Sequence, residues 1–171
     1  MTRVVFIASM CALLLATAVR ARPREVSINQ ENPAGALAIV VNQANPVDGL
    51  TLGELRRIFM FDTQTWPNGR RITVVLRDKG QPERGEAIRR VCDMSEAEYD
   101  DHILFQTFRG SIGWGPRSIM SASAMLRFVF NAPGAIGYVP ADQVEGTKVL
   151  RIDGLLPSNP GYPLRRGARG R

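Results

Sequence analysis

The 171-residue sequence contains few of the residues that bind metal ions or form disulfides. It has two cysteines, Cys11 and Cys92, and one histidine, His102. Cys11 lies in an apolar N-terminal run that we expect to be removed, so Cys92 would be left without an intramolecular disulfide partner. Metal sites usually draw on several His, Cys or carboxylate ligands, and a lone histidine does not predict one. We therefore expect a fold that is stabilised by its core, with no metal and no cofactor.

The sequence also lacks the patterns that are typical of enzymes. Ser111 does not lie in the nucleophile elbow Gly-x-Ser-x-Gly, because position 109 is an arginine. Asp100 and Asp101 are neighbours on a predicted helix and point in different directions, so they do not form a shared carboxylate pair. Cys92 continues the apolar face of a predicted helix, which favours a buried structural thiol over a partner for His102. We predict that the protein is not an enzyme.

The basic residues are concentrated at the two ends of the chain, although the formal net charge is +6. Eight of the 22 basic residues lie outside residues 25–164, where 14 basic residues face all 16 acidic ones, a net charge of −2. A nucleic-acid-binding domain should carry its basic charge on a folded face. We therefore expect no nucleic-acid partner, and we predict that residues 157–171 form a basic, disordered tail.

The N-terminus has the order of a secretory signal. Residues 1–3 carry one positive charge, residues 4–19 carry none, and small residues follow as far as Ala21. This order predicts a signal peptide over residues 1–21 and a periplasmic or secreted protein. The apolar run is shorter than the roughly 20 residues of a membrane span, and an uncleaved anchor is the alternative. Residues 22–35 are polar and are predicted to form a linker.

Short apolar runs alternate with helical patterns from residue 36 to residue 156. Strands are predicted at residues 36–42, 71–76, 135–139 and 148–152. Capping boxes, Thr51 with Glu54 and Ser95 with Glu98, predict two helix starts, and Pro82 fits the first turn of another helix. A fourth helix is predicted at residues 121–130. Strands separated by helices predict one α/β domain over residues 36–156, with a mixed, mostly parallel sheet flanked by helices.

Two of these helices have an apolar face. In the helix that begins after Ser95, the face is formed by Tyr99, Ile103, Leu104 and Phe108. In the helix at residues 121–130, Met125, Leu126, Val129 and Phe130 are predicted to point inward.

The order of several segments resembles a known family. They are residues 55–59 (LRRIF), Trp66 in a loop, Arg77 at the end of a predicted strand, and residues 134–138 (GAIGY). Over about residues 36–140 the chain resembles one lobe of the periplasmic phosphate-binding proteins of ABC transporters, which have the type II periplasmic-binding-protein fold. The resemblance implies a single lobe of that fold in a secreted relative that binds inorganic phosphate or another small anion and works beside a membrane transporter.

The segment VVLRDKGQPERGEAIRR, residues 74–90, is the candidate anion site. A strand leads through a polar turn into a helix, whose first N–H groups point toward the turn. The resemblance implies an arginine followed by an Asp-Gly-Ser-Gly-Thr type of turn, which Arg77 and Gly80 match. It also implies, for single-lobe secreted relatives, a pattern Arg-x-x-Gly-x-Pro-x-Arg that ends at Arg84. The candidate ligand-binding residues are Arg77, Gly80, Gln81 and Arg84.

The same turn departs from the family pattern in ways that weaken an anion site. Gln81, Pro82 and Glu83 stand where the family has Ser-Gly-Thr, so the small hydroxyl donors are missing. Pro82 removes an N–H group, and Glu83 brings negative charge to the helix start. Arg77 has an alternative role in a salt bridge with Asp78 or Glu83. The alternative for the whole protein is a periplasmic protein–protein interaction module that has lost its ligand. The oligomeric state is left open by the sequence.

Overall fold

The computed structural model describes residues 35–166. The predicted signal peptide, nearly all of the predicted linker and residues 167–171 lie outside the described residues. The elements follow in the order β1 (Leu37–Val41), β2 (Gly49–Leu50), α1 (Leu52–Phe59), β3 (Thr73–Arg77), α2 (Pro82–Cys92), α3 (Glu96–Phe108), β4 (Arg117–Ile119), α4 (Ala122–Asn131), β5 (Ala135–Pro140), β6 (Lys148–Val149) and β7 (Arg151–Ile152). A short 3₁₀ turn, Ala141–Gln143, lies between β5 and β6.

The main sheet has five strands in the order β4-β3-β5-β1-β6. Strand β3 pairs in parallel with both β4 and β5, whereas β1 pairs antiparallel with β5 and β6. A separate parallel pair is formed by β2 and β7. The predicted α/β class, with a mixed sheet flanked by helices, is confirmed.

The core has two layers, one on each face of the sheet. Helices α1 and α2 cover one face, where the larger cluster includes Leu55, Phe59, Ile88 and Tyr138. Helix α4 covers the other face through Met125 and Val129. Strand β5 lies in the middle of the sheet, and all of its residues except Pro140 are buried. The fold therefore brings together residues that are far apart in the chain.

The helix starts follow the local signals in the sequence. Thr51 with Glu54 and Ser95 with Glu98 form the two predicted capping boxes, and Pro82 opens α2. Each capping side chain accepts a hydrogen bond from a first-turn N–H group that has no partner within the helix. These predictions are confirmed. They could be made from the sequence because a capping box involves residues that are only three positions apart.

The predicted inward face of α4 is wrong in part, and the apolar face of α3 is buried only in part. Tyr99 is fully buried and its hydroxyl donates to the Phe59 carbonyl at 2.8 Å, but Leu104 is 55% exposed and Phe108 82% exposed. Phe130 of α4 is 58% exposed. Helical periodicity identifies an apolar face but does not say how far along the helix other elements cover it.

The predicted tail is wrong for residues 157–166. Tyr162 and Leu164 are fully buried. The Tyr162 hydroxyl donates to the Leu37 carbonyl at 3.0 Å, and the Leu37 N–H donates to the Leu164 carbonyl at 2.9 Å. The packed domain therefore reaches at least Leu164 and does not end at Leu156, because these two apolar side chains complete the core beside β1.

Candidate functional site

The candidate site lies where β3 ends and α2 begins. Arg77 is the last residue of β3, next to Ile119 at the end of the parallel strand β4. The intervening turn, residues 78–81, is closed by a hydrogen bond from the Gln81 N–H to the Asp78 carbonyl at 3.2 Å. Gly80 has φ +81°, and a Cβ added there would meet no atom within 4 Å. The glycine is therefore explained by the backbone conformation of the turn and not by close packing. Ligands of open α/β sheets gather at this kind of edge.

Arg77 is the most unusual residue of the site. It is 7% exposed, and its backbone N–H donates to the Tyr138 hydroxyl at 3.0 Å. Its Nη2 is 3.5 Å from the Gln81 Oε1, which is a weak contact. Its Nε and Nη1 are buried and have no partner within residues 35–166, and neither Asp78 nor Glu83 pairs with it there. A buried charged donor without an acceptor is costly and calls for a functional explanation.

Arg84 lies beside Arg77 but its guanidinium is already occupied. Its Nε is 3.1 Å from Glu96 and its Nη2 is 2.8 Å from Asp100. Its Nη1 donates to the Arg77 carbonyl at 3.1 Å, and the residue is 2% exposed. Arg84 therefore holds α2, α3 and the end of β3 together, and its contacts are those of a structural residue.

Gln81 and Glu83 line the start of α2. Gln81 is the N-cap residue and makes no side-chain capping bond, so the helix start keeps unsatisfied N–H groups. Glu83 is half-buried, and its Oε2 is buried with no partner within the described residues. The helix dipole favours this carboxylate, which also competes with an external anion for the same positive potential.

Tyr138 contacts Arg77, although the sequence points to it only within residues 134–138 and not as a candidate site residue. Burial raises the pKa of its phenol above the usual range. The hydrogen bond from the Arg77 backbone and the positive charges of Arg84 and Arg77 lower this pKa, whereas the negative charge of Glu83 raises it further. The hydroxyl is therefore neutral and fixes the backbone at the end of β3. It lies 61 residues from Arg77 in the chain, so no local pattern links the two.

The residues weighed as catalytic groups do not assemble into a centre. Cys92 is fully buried, and burial raises the pKa of its thiol to about 12. The thiol is therefore protonated and unreactive at neutral pH. His102 is half-buried, with its Nε2 3.4 Å from the Met60 carbonyl. Within residues 35–166 no three His, Cys, Asp or Glu side chains are grouped to hold a metal ion. No helix in that range has the length and hydropathy to cross a membrane.

Several solved structures share the fold of this chain. An ABC-type phosphate transport receptor from Vibrio cholerae matches 73% of the chain at 22% identity, with a TM-score of 0.58. A putative phosphate ABC transporter substrate-binding protein with bound phosphate, from Clostridium perfringens, matches 72% at 21% identity and a TM-score of 0.59. PstS from Borrelia burgdorferi matches 76% at 14% identity and a TM-score of 0.58.

The matches cover 50%, 47% and 54% of the three solved chains, so this chain spans about half the length of each. That is the extent expected for one lobe of a two-lobed binding protein. The resemblance found in the sequence is thereby confirmed at the level of the fold. No protein-family model and no curated protein sequence matches the chain.

Proposed function

We propose that the protein is an exported, non-enzymatic solute-binding protein that binds inorganic phosphate or a similar oxyanion at the start of α2. The observation that carries the proposal is the buried Arg77 guanidinium, whose Nε and Nη1 have no acceptor within the described residues. The phosphate receptors that share the fold support the choice of ligand. The N-terminal sequence pattern supports export, and the same receptors support work beside a membrane transporter.

An oxyanion suits this site for two reasons. The guanidinium presents a planar fork of donors that matches a phosphate or carboxylate, and such charge-assisted hydrogen bonds are the strong ones. The start of α2 adds positive potential and N–H groups that lie next to the same turn. The Gln81 side chain, held to Arg77 only by a 3.5 Å contact, is the group that an entering anion would displace.

The same features predict weak binding. Glu83 places a carboxylate in the first turn of α2, so the entering anion meets a like charge. An anion held by one lobe also keeps water on its open side, and water weakens each charge-assisted bond. We expect a dissociation constant on the order of 1 mM for phosphate.

Arg77→Ala is expected to abolish phosphate binding while leaving the fold intact. The guanidinium supplies the charged donors of the site, and its two unpaired nitrogens contribute no internal hydrogen bond whose loss would destabilise the protein. Isothermal titration with phosphate and a thermal melt measure the two effects. Arg89→Ala, at an exposed position near the end of α2, is the matched control and should bind like the parent. Unchanged phosphate binding in Arg77→Ala would place the site elsewhere.

Glu83→Gln is expected to tighten phosphate binding by about three- to tenfold, because it removes a like charge and keeps the shape of the side chain. The gain should shrink as salt is added, since added ions screen the repulsion at this half-buried position. Glu145→Gln, an exposed carboxylate between β5 and β6, controls for the change in net charge. An equal gain in both variants would show that net charge, and not the position of Glu83, sets the affinity.

One observation favours the alternative, a periplasmic interaction module that has lost its ligand. The end of α3 and the loop after it expose four large apolar side chains: Leu104 (55%), Phe105 (56%), Phe108 (82%) and Trp114 (78%). Clustered exposure of this kind marks interaction surfaces. If neither the parent nor Glu83→Gln binds phosphate, sulfate or arsenate, this alternative replaces the anion-binding proposal.

A further inference from the structure

A pocket lies near the start of β3, at the other end of the strand from Arg77. Its volume is about 370 Å³, and its walls come from the loop after α1 and from the loop between α3 and β4. Gln64 joins the two loops, because its Nε2 donates to the Phe61 carbonyl at 3.2 Å and to the Ser111 carbonyl at 3.1 Å. Phe61 itself has φ +65°, a conformation that non-glycine residues rarely adopt. The pocket is therefore held in shape by specific contacts.

Two arginines line this arginine–tryptophan pocket, which we define by Arg71, Arg117, Trp114 and Phe61. Both arginines are exposed, and neither pairs with a carboxylate within residues 35–166. The Arg117 guanidinium is positioned over the Phe128 ring, 5.1 Å from its centre. The lining contains no Asp or Glu side chain among the described residues. Both arginines of the lining thus carry a charge that no described carboxylate compensates, and the Arg117 guanidinium also contacts a ring that lies outside the lining.

The remaining lining is mainly apolar. Phe61 is half-buried and Trp114 has 78% of its surface exposed, so these two rings supply the accessible apolar surface, whereas Ile72 and Val74 are buried. Thr73 adds one hydroxyl. An inorganic anion would satisfy the arginines but leave this apolar surface in contact with water. A ligand with a flat apolar body and one acidic group would use both parts of the pocket.

We propose that the arginine–tryptophan pocket binds a small aromatic carboxylate. Its carboxylate would be held by the forked donors of Arg71 and Arg117, and its ring would pack against Trp114 and Phe61. The volume falls within the range of small-molecule sites, about 300–1,000 Å³. The five residues of β3 place this site about 13 Å along the strand from the Arg77 turn. The proposal does not depend on phosphate binding at Arg77.

The chain has two tryptophans, Trp66 and Trp114, whose indole N–H signals allow ligand binding to be followed by NMR. A ¹⁵N-labelled sample should show two indole N–H signals, which Trp114→Phe assigns. Trp66 is buried and its indole N–H donates to the Gly134 carbonyl at 3.1 Å, so its signal reports on the fold. Titration with benzoate is expected to shift the Trp114 signal to saturation and leave the Trp66 signal in place. Benzyl alcohol, which keeps the ring but has no charge, should bind at least about tenfold more weakly.

The double variant Arg71→Gln, Arg117→Gln should raise the dissociation constant for benzoate by at least about tenfold. Both positions are exposed, and an unmoved Trp66 signal will show that the fold is kept. Arg56→Gln, an exposed arginine on α1 outside this pocket, should bind benzoate like the parent. Equal affinity for benzoate and benzyl alcohol, unchanged affinity in the double variant, or a Trp114 signal that does not saturate with benzoate would each overturn the proposal.

Discussion

Arg84→Ala is expected to lower the free energy of unfolding by about 3 kcal/mol, the lower end of the range for breaking a buried ion pair. The substitution leaves the Glu96 and Asp100 carboxylates without their shared partner and removes the donor to the Arg77 carbonyl. The lower end applies because the two carboxylates are 34% and 31% exposed, so water replaces part of the lost contact. Urea denaturation measures the effect as a lower midpoint at an unchanged slope.

Two further variants separate the structural role of Arg84 from a role in ligand binding. Arg84→Lys keeps the charge but not the fork, so it should recover only part of the stability. Arg89→Ala changes an exposed arginine of the same helix and should alter stability by less than about 0.5 kcal/mol. A stable Arg84→Ala protein that no longer binds phosphate would contradict the structural assignment and make Arg84 a ligand residue.

Tyr162→Ala is expected to destabilise the protein by about 3–5 kcal/mol, as for other large aromatic residues removed from a core. Tyr162 is fully buried, and its hydroxyl donates to the Leu37 carbonyl of β1 at 3.0 Å. Tyr162→Phe keeps the ring and loses only that hydrogen bond, so it should cost about 1 kcal/mol. The difference in stability between the two variants gives the contribution of the packed ring, and the loss in Tyr162→Phe gives that of the hydrogen bond.

Urea denaturation of the two Tyr162 variants also tests where the domain ends. Ser158→Ala is the matched control and should resemble the parent. Ser158 lies in the same segment, is half-buried, and its side chain makes no hydrogen bond within residues 35–166. If Tyr162→Ala is as stable as the parent, the segment after Leu156 does not belong to the folded domain, and the predicted tail would be correct.

The sequence predicted the parts of the fold that depend on local pattern. The capping boxes at Thr51 and Ser95 and the proline at the start of α2 involve residues within one turn of each other. The apolar runs that became β1, β3 and β5 were found because buried strands need several consecutive apolar side chains. Strand β4 was missed because three mostly exposed residues after a glycine-rich loop carry no such run.

Other features depended on which elements meet. The exposed end of α3 has the same periodicity as its buried start, and only the absence of a covering element within residues 35–166 distinguishes Phe108 from Tyr99. The antiparallel pairing of β1 with β5 depends on a partner nearly 100 residues away. Leu164 and Tyr162 are two apolar residues in a polar, proline- and glycine-containing segment, too few to form a pattern.

At the candidate site, too, the sequence determined the position of Arg77 and Arg84, and the tertiary structure determined their contacts. The sequence by itself determined that both arginines lie at a strand–turn–helix junction, because the apolar run, Gly80 and Pro82 specify that junction locally. Only the tertiary structure decided which partners each arginine has. Helix α3 brings Glu96 and Asp100 to Arg84, whereas no described carboxylate reaches Arg77. A buried charge is compensated by whatever side chains the fold places within a few ångströms, and those partners come from distant parts of the chain.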